Sequence, residues 1–493
     1  MKKIAKFLIV LGMMGQLSSC DYLDIVPDER AQESDTWKTE GAVRGYLYSC
    51  YGYLPANRTF GNSYWLSGEI TAVTKELFTT FKYGYYSPVS LGFTSNTWST
   101  IWNGIHQCYM FQESLKQVSN EYVTDEMKKQ YLAESNFLIA YYHFLSMRSY
   151  GPTMIIRSVI DLETPISGFP ERSSIDEVVA FINEKLDEAM SEGGLPTTWS
   201  GKDYGRATRL AALALKSRVY LYAASPLYNG NTEMYADFRS PLDGRQLIAQ
   251  EKSQAKWEIS ATQTKYAIDE VEKAKFHLYH DADAGEPSDA KPGLPNKAQR
   301  RLRYTNIDNQ TGNNPEIIWA DTRNDDYYGI QRRCPPRQTL GGKFAGISMT
   351  NCPTLQTIEA FYTKNGLPIN KDKTFDYDER YEYISAPENC DGNNYEDLVK
   401  YANFTPSSDK VMRLCTDREP RFYAWTTYHN GYFEFGKYNN EEISADPAKR
   451  AIRIHLLRDD PHGRGNRTDQ EYSISGFGNK KGVVPSAEWN VIE

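Results

Sequence analysis

Between Thr124 and Pro152 lies the feature that most restricts what this chain can fold into. Thr124 is a good helix N-cap, and Asp125 and Glu126 follow in the first turn, where carboxylates meet the positive end of the helix dipole. Apolar residues then fall at Met127, Tyr131, Leu138, Tyr142 and Leu145, until Gly151-Pro152 stops the run. This predicts a long helix with defined ends, and others flank it. Residues 98–119 place Trp98, Ile101, Ile105, Tyr109 and Leu115 near helical spacing. Ser174 and Glu177 form a capping-box pattern for a helix over 175–190, closed by Gly193, Gly194 and Pro196. Residues 206–224 are rich in Ala and Leu and end at Ser225-Pro226. A further helix over about 253–276 carries Trp257, Ala261, Ile268 and Val271. Long helices in antiparallel pairs, with Ala211, Ala212, Ala214 and Ala223 at contacts, predict a mainly α fold. Its scaffold is a stack of helical pairs of tetratricopeptide type, although the strict repeat consensus is absent.

After His280 the texture changes. Residues 281–303 are polar, with Gly and Pro, and read as a long loop. The apolar run 316–320 predicts a short strand, and Pro353 opens a short helix to Tyr362, ended by Asn365-Gly366. From 371 to 493 the chain is mostly polar and reads as loops and short strands laid over the helical base. The expected division is a helical base over about 98–280 and a loop-rich, ligand-binding part over about 281–493. Long loops in a compact protein are usually functional.

The N-terminus carries an address. Lys2, Lys3 and Lys6 precede an apolar run over 7–14 that is too short to span a bilayer, and Leu17-Ser18-Ser19-Cys20 follows. This reads as a signal peptide over 1–19. Its end resembles the lipobox of bacterial lipoproteins, which implies cleavage before Cys20 and lipid on its thiol. Removing it takes away three Lys and no acid, from a chain whose net charge is already −8. That balance argues against a nucleic-acid partner. A mean hydropathy of −0.62 excludes a polytopic membrane protein. Six cysteines remain: Cys50, Cys108, Cys334, Cys352, Cys390 and Cys415. An even number permits disulfides, but no C-x-x-C pair signals zinc or redox chemistry. A chain this long needs no disulfide framework, which favours isolated buried thiols.

Six segments, in order, resemble the SusD/RagB family of surface glycan-binding lipoproteins. They are Cys20-Asp21-Tyr22-Leu23-Asp24 with Pro27; Ala133-Glu134 through Tyr141-Tyr142-His143-Phe144 to Tyr150-Gly151-Pro152; and Gly205-Arg206-Ala207-Thr208 through Val219-Tyr220-Leu221-Tyr222 to Ser225-Pro226. Then come Asn314-Pro315-Glu316-Ile317-Ile318-Trp319; Pro353-Thr354 through Ala360-Phe361-Tyr362 to Asn365-Gly366-Leu367-Pro368-Ile369; and Glu419-Pro420-Arg421-Phe422, with Glu for the family's Asp. The resemblance implies a single SusD-like domain over 20–493. It also implies one more helical pair beyond the approach formed by residues 486–493, so the family's C-terminal repeat is expected to be missing.

Catalytic signals are poor. The sequence has no H-E-x-x-H and no G-x-S-x-G. Gly342-Lys343 is followed by Phe344 rather than Ser or Thr, and Gly476, Gly478 and Gly482 do not fit a dinucleotide fingerprint. His277, His280, Asp281 and Asp283 could hold a metal, but a solvated helix end is the plainer reading, so neither metal nor cofactor is expected.

A sugar ring has apolar C–H faces ringed by hydroxyls, so its site needs exposed aromatic faces beside polar groups. The 36 Tyr, against 20 Phe and 9 Trp, exceed what a core needs. Two segments fit, in regions where the resemblance also implies ligand contacts. Tyr83-Gly84-Tyr85-Tyr86 lies near Trp65, and its Gly and Pro88 make it a loop. Arg323-Asn324-Asp325-Asp326-Tyr327-Tyr328 mixes aromatics with polar partners. The candidate ligand-binding residues are therefore Trp65, Tyr83, Tyr85, Tyr86, Arg323, Asn324, Asp326, Tyr327 and Tyr328. Trp319 and Trp98 are assigned to the core. The expectation is a non-enzymatic lipoprotein, held on the outer membrane through Cys20. By resemblance it captures oligosaccharide or polysaccharide for a SusC-like TonB-dependent transporter. The alternatives are a peptide-capturing member of the same family and a secreted hydrolase on a helical scaffold.

Overall fold

The computed structural model describes residues 37–55, 68–71, 93–161, 163–284, 297–308, 314–323, 333–336, 349–385, 410–434, 437–438, 441–442, 451–454, 456–458, 463 and 472–483. Six long helices dominate: α1 (Glu40–Tyr51), α2 (Phe93–Leu115), α3 (Asp125–Tyr150), α4 (Ile175–Ala189), α5 (Arg209–Ala224) and α6 (Gln254–Lys273). Each of α2 to α5 packs on the next, and α1 lies on both α2 and α3. The fold is mainly α, as the sequence predicts.

The expected caps hold these ends. The Thr124 hydroxyl accepts from the Met127 amide, and Gly151 closes α3 with its own N–H on the Met147 carbonyl. Ser174 and Glu177 make the full capping box. Thr208 caps α5, so that helix begins three residues later than its composition alone suggested. Helix α1, which no strong periodicity announces, is capped by Thr39.

Helix α3 is the axis of the stack. It is buried almost without interruption from Tyr131 to Met147, so it shows no clean apolar stripe. Each apolar side chain fully withdrawn from water, such as Phe137, Leu138 or Phe144, contributes roughly 1.5–3 kcal/mol. The polar ones are answered in place. Gln112 donates to Asn136 Oδ1 at 2.9 Å, the Ser135 hydroxyl donates to the Cys108 carbonyl at 3.2 Å, and the Ser146 and Thr153 hydroxyls pair at 2.7 Å. Gly104 lets α2 come close: a Cβ there would lie 2.8 Å from the Tyr142 ring.

Three local expectations are corrected. The run 316–320 is a series of turns, not a strand. Asn314 bends the chain there: its Oδ1 takes the Glu316 N–H and its Nδ2 donates to the Thr305 carbonyl. Residues 297–303, assigned to a loop, form most of α7 (Lys297–Tyr304). On α6 the buried residues are Ser260 and Ala267, while Ile268 is exposed. Small residues, and the Ser217–Thr264 hydroxyl pair at 2.7 Å, let α6 lie close on α5.

The second half is built from short pieces: α8 (Leu355–Ala360), α9 (Pro420–Trp425) and two- and three-residue antiparallel ladders. Its own core gathers Ile358, Val411, Leu414, Phe422 and Phe477. The strand Ile70–Thr71 pairs with Cys352–Pro353 and ties the halves together. Cys50, Cys108, Cys334, Cys352 and Cys415 are buried free thiols. Among the described residues, no helix is long and apolar enough to cross a membrane.

Candidate functional site

Where the turn segment 314–323 crosses the helical base, it leaves a hollow of about 500 Å³. That volume falls within the range of small-ligand sites. Its walls come from the end of α1 (Tyr48, Tyr51), from Tyr141 of α3, from the loop before α5 (Lys202 to Arg206) and from Trp319 to Arg323. The hollow thus draws on both the helical base and the loop-rich part.

Beneath it lies a buried ion pair. Arg206 Nη2 and Nε reach the two oxygens of Glu134 at 2.5 and 3.2 Å, and Nη1 reaches Asp203 at 2.7 Å. The Tyr51 hydroxyl donates to Glu134 at 2.6 Å and accepts the Ala207 N–H at 2.9 Å. Burial raises the pKa of the Glu134 carboxyl, and Arg206 and Tyr51 oppose that shift. The guanidinium also lies 4.1 Å from the Trp199 ring centroid. With Glu134 fully buried, this network ties α1, α3 and the start of α5 into a rigid floor.

Trp319 is half core and half wall. Its edge-on packing against Phe137 and Tyr141, at 5.1 and 5.4 Å, belongs to the core. Its indole N–H donates to the Gly205 carbonyl at 2.8 Å. Gly205 has φ +98°, and a Cβ there would fall 2.7 Å from the Thr322 side chain. Only glycine therefore allows the two walls to meet.

Arg323, the one expected ligand contact among the described residues, does line the hollow. Its guanidinium is largely committed: it donates to the Leu54 and Pro55 carbonyls, both at 2.9 Å, and grips Asp321 at 2.5 and 2.7 Å. It acts here as a clip that fixes the wall. Trp65, Tyr83, Tyr85, Tyr86, Asn324, Asp326, Tyr327 and Tyr328 lie outside the described residues, as does Cys20.

The sequence reading missed Tyr48, Lys202 and Tyr204. Tyr48 is 39% exposed, and among the described residues neither its hydroxyl, nor that of Tyr204, nor the Lys202 ammonium has a hydrogen-bond partner. Flat rings with unspent polar tips are what a polyhydroxylated ligand needs. The available signal was Gly205-Arg206 just before a helix cap, a charged residue placed where the chain turns into the core. The group at 277–283 gathers no metal-ligand cluster among the described residues: His277 and His280 stack on each other, and Asp283 takes the His280 N–H.

Comparison with known proteins agrees with this architecture. A family model described as starch-binding associating with outer membrane matches residues 21–221, and a model of the SusD family matches 315–491. Among solved structures, BT4246 is 26% identical, with a TM-score of 0.71, over 91% of this chain and 73% of that one. A SusD-like protein (BF3747) from Bacteroides fragilis is 19% identical, with a TM-score of 0.59, over 92% of this chain and 70% of that one, and shares the fold. No curated protein sequence matches the chain. The two family matches and the shared helical stack place this chain in the SusD/RagB family.

Proposed function

We propose that this chain is a cell-surface glycan-binding lipoprotein that captures oligosaccharide and hands it to a TonB-dependent transporter in the outer membrane. The observation that carries the reading is the hollow over the Glu134–Arg206 floor, walled by Tyr48, Tyr204 and Trp319. The description of the matching family model, starch-binding associating with outer membrane, supports the ligand class and the location. In this reading binding is the task and no bond is broken. The rings stack on sugar C–H faces, each contributing about 1 kcal/mol beyond the area it buries, by analogy with aromatic pairs. Lys202 and the two free phenols meet the hydroxyls.

Replacing Tyr48 and Tyr204 together by Ala should weaken glycan binding at least tenfold in calorimetry, with little change in melting temperature. Unchanged affinity for every glycan that binds the parent would exclude the hollow as the site.

Residence at the membrane rests on the lipobox ending at Cys20. Two acyl chains hold a protein on a bilayer without a spanning helix. The variant Cys20→Ala should leave the membrane fraction or remain unprocessed, and partition identical to the parent would count against lipidation.

A further inference from the structure

Tyr204 belongs to two hollows. On one side lies the site just described, and on the other a second hollow of about 310 Å³, bounded by Trp199, Ser200, Phe276, Pro315 and Ile317. The loop 199–206 is the ridge between them, and it is held at both ends. The Trp199 indole donates to the Ala207 carbonyl at 2.8 Å, the Tyr204 N–H turns back to Gly201 at 3.2 Å, and Trp319 holds the Gly205 carbonyl at 2.8 Å. A rigid ridge with an aromatic crest, whose phenol has no hydrogen-bond partner among the described residues, is built to be straddled.

The charge around it is unequal. The acids near the ridge are committed: Asp321 to Arg323, and Asp203 and Glu134 to Arg206. Lys202 stands in the first hollow and Lys275 in the second. Both are exposed, and among the described residues neither is in an ion pair. Lys275 is also pinned at the end of α6 in a left-handed conformation, φ 71°, with its N–H on the Glu272 carbonyl. In a chain of net charge −8, each hollow thus offers one uncommitted cation.

We propose that the two hollows form one groove across Tyr204, and that it takes an extended anionic oligosaccharide, whose carboxylate or sulfate groups meet Lys202 and Lys275. This rests on the glycan-binding reading and narrows it.

Calorimetry on the full chain tests it with four probes: digalacturonate, hexagalacturonate, a chondroitin sulfate hexasaccharide and maltohexaose. At least one acidic hexamer should bind ten times more tightly than maltohexaose, and its affinity should fall as salt rises. If the carboxylate is the partner, hexagalacturonate binds more tightly than the sulfated chain and ten times more tightly than digalacturonate; if sulfate is, the order of the two hexamers reverses. The double variant Lys202→Gln, Lys275→Gln should lose that preference with its melting temperature unchanged. Ser200→Trp, which fills only the second hollow, should weaken the favoured hexamer at least fivefold. Equal or tighter binding of maltohexaose overturns the anionic preference and leaves the glycan reading intact. Unchanged hexamer affinity in Ser200→Trp overturns the continuous groove. Binding of none of the four overturns this inference, whereas the broader reading falls only if the parent also fails on a wide panel of neutral glycans.

Discussion

His143 sits at the centre of α3, fully buried, with its ring edge-on to Phe181 at 4.7 Å. Its Nδ1–H donates to the Ile139 carbonyl at 2.8 Å, and its Nε2 accepts the Ile156 N–H at 3.3 Å. Those two bonds define the neutral tautomer, since a protonated ring would turn Nε2 into a donor facing a donor. Burial accordingly lowers the pKa from 6.5 to about 4. Above pH 6.5 both the folded and unfolded forms are neutral, and this residue gives no pH dependence. Between 6.5 and 4 the unfolded chain binds a proton that the folded chain refuses, so stability falls as the pH drops. Below 4 the loss levels off at about 3 kcal/mol. Thermal melts from pH 7 to pH 4 should show a steeper decline for the parent than for His143→Gln, whose carboxylates titrate as the parent's do. Parallel profiles would mean that His143 protonates in place without cost.

At the scale of elements, the short helix α8 shows how a fragment of six residues is held. Its last carbonyls have no partner within the helix. Arg418, 2% exposed, supplies them: it donates to the Ile358, Phe361 and Tyr362 carbonyls at 2.9, 2.6 and 3.3 Å, and to Leu414 at 2.7 Å. Its guanidinium lies 4.8 Å from the Phe422 ring centroid. Burial lowers its pKa, yet a guanidinium stays charged at any physiological pH. Arg418→Met leaves the Ile358, Phe361 and Leu414 carbonyls without this donor, while Tyr362 keeps the Glu419 N–H at 3.0 Å, and should cost about 3 kcal/mol in urea unfolding of this core. A cost below about 0.5 kcal/mol would show that water replaces the guanidinium. No local pattern announces this staple, because its partners lie up to 60 residues away. By contrast the caps at Thr124 and Ser174 were legible, since each acts within four residues of itself. The same divide explains the site. Arg323 reads as a ligand contact from its polar, aromatic surroundings, whereas its guanidinium is committed to Asp321, Leu54 and Pro55; Tyr48, Tyr204 and Trp319 meet only through tertiary packing. Trp319 was assigned to the core, and its inner edge is there; that another edge lines a hollow depends on Gly205, more than a hundred residues earlier.

Among the described residues two cores are largest, and the hollow lies where segment 314–323 crosses the helical stack. The larger core fills the helical stack, and the second gathers around Ile358 and Phe422. Segment 314–323 stitches the later part of the chain onto the stack. The Pro315 carbonyl takes the His277 N–H at 3.1 Å, Trp319 packs on α3, and Arg323 grips the turn after α1. The Trp425 indole also donates to the Leu302 carbonyl at 3.0 Å, joining α9 to α7 within the second half. The seam should therefore make the cores unfold together. Trp319→Ala removes a large ring and the Gly205 hydrogen bond at one stroke, a loss of about 3 kcal/mol or more. In calorimetric melts the parent should show one transition. The variant should show two, because the stack and the later core no longer share this joint. If the hollow is the glycan site, as proposed, a ligand at a hundred times its Kd should add about 2.7 kcal/mol to the joint transition of the parent. In the variant that gain should be largely lost, since one wall of the hollow is gone. Two transitions in the parent, or a ligand that raises only one of them, would show that the halves are independent and that the hollow belongs to one of them alone.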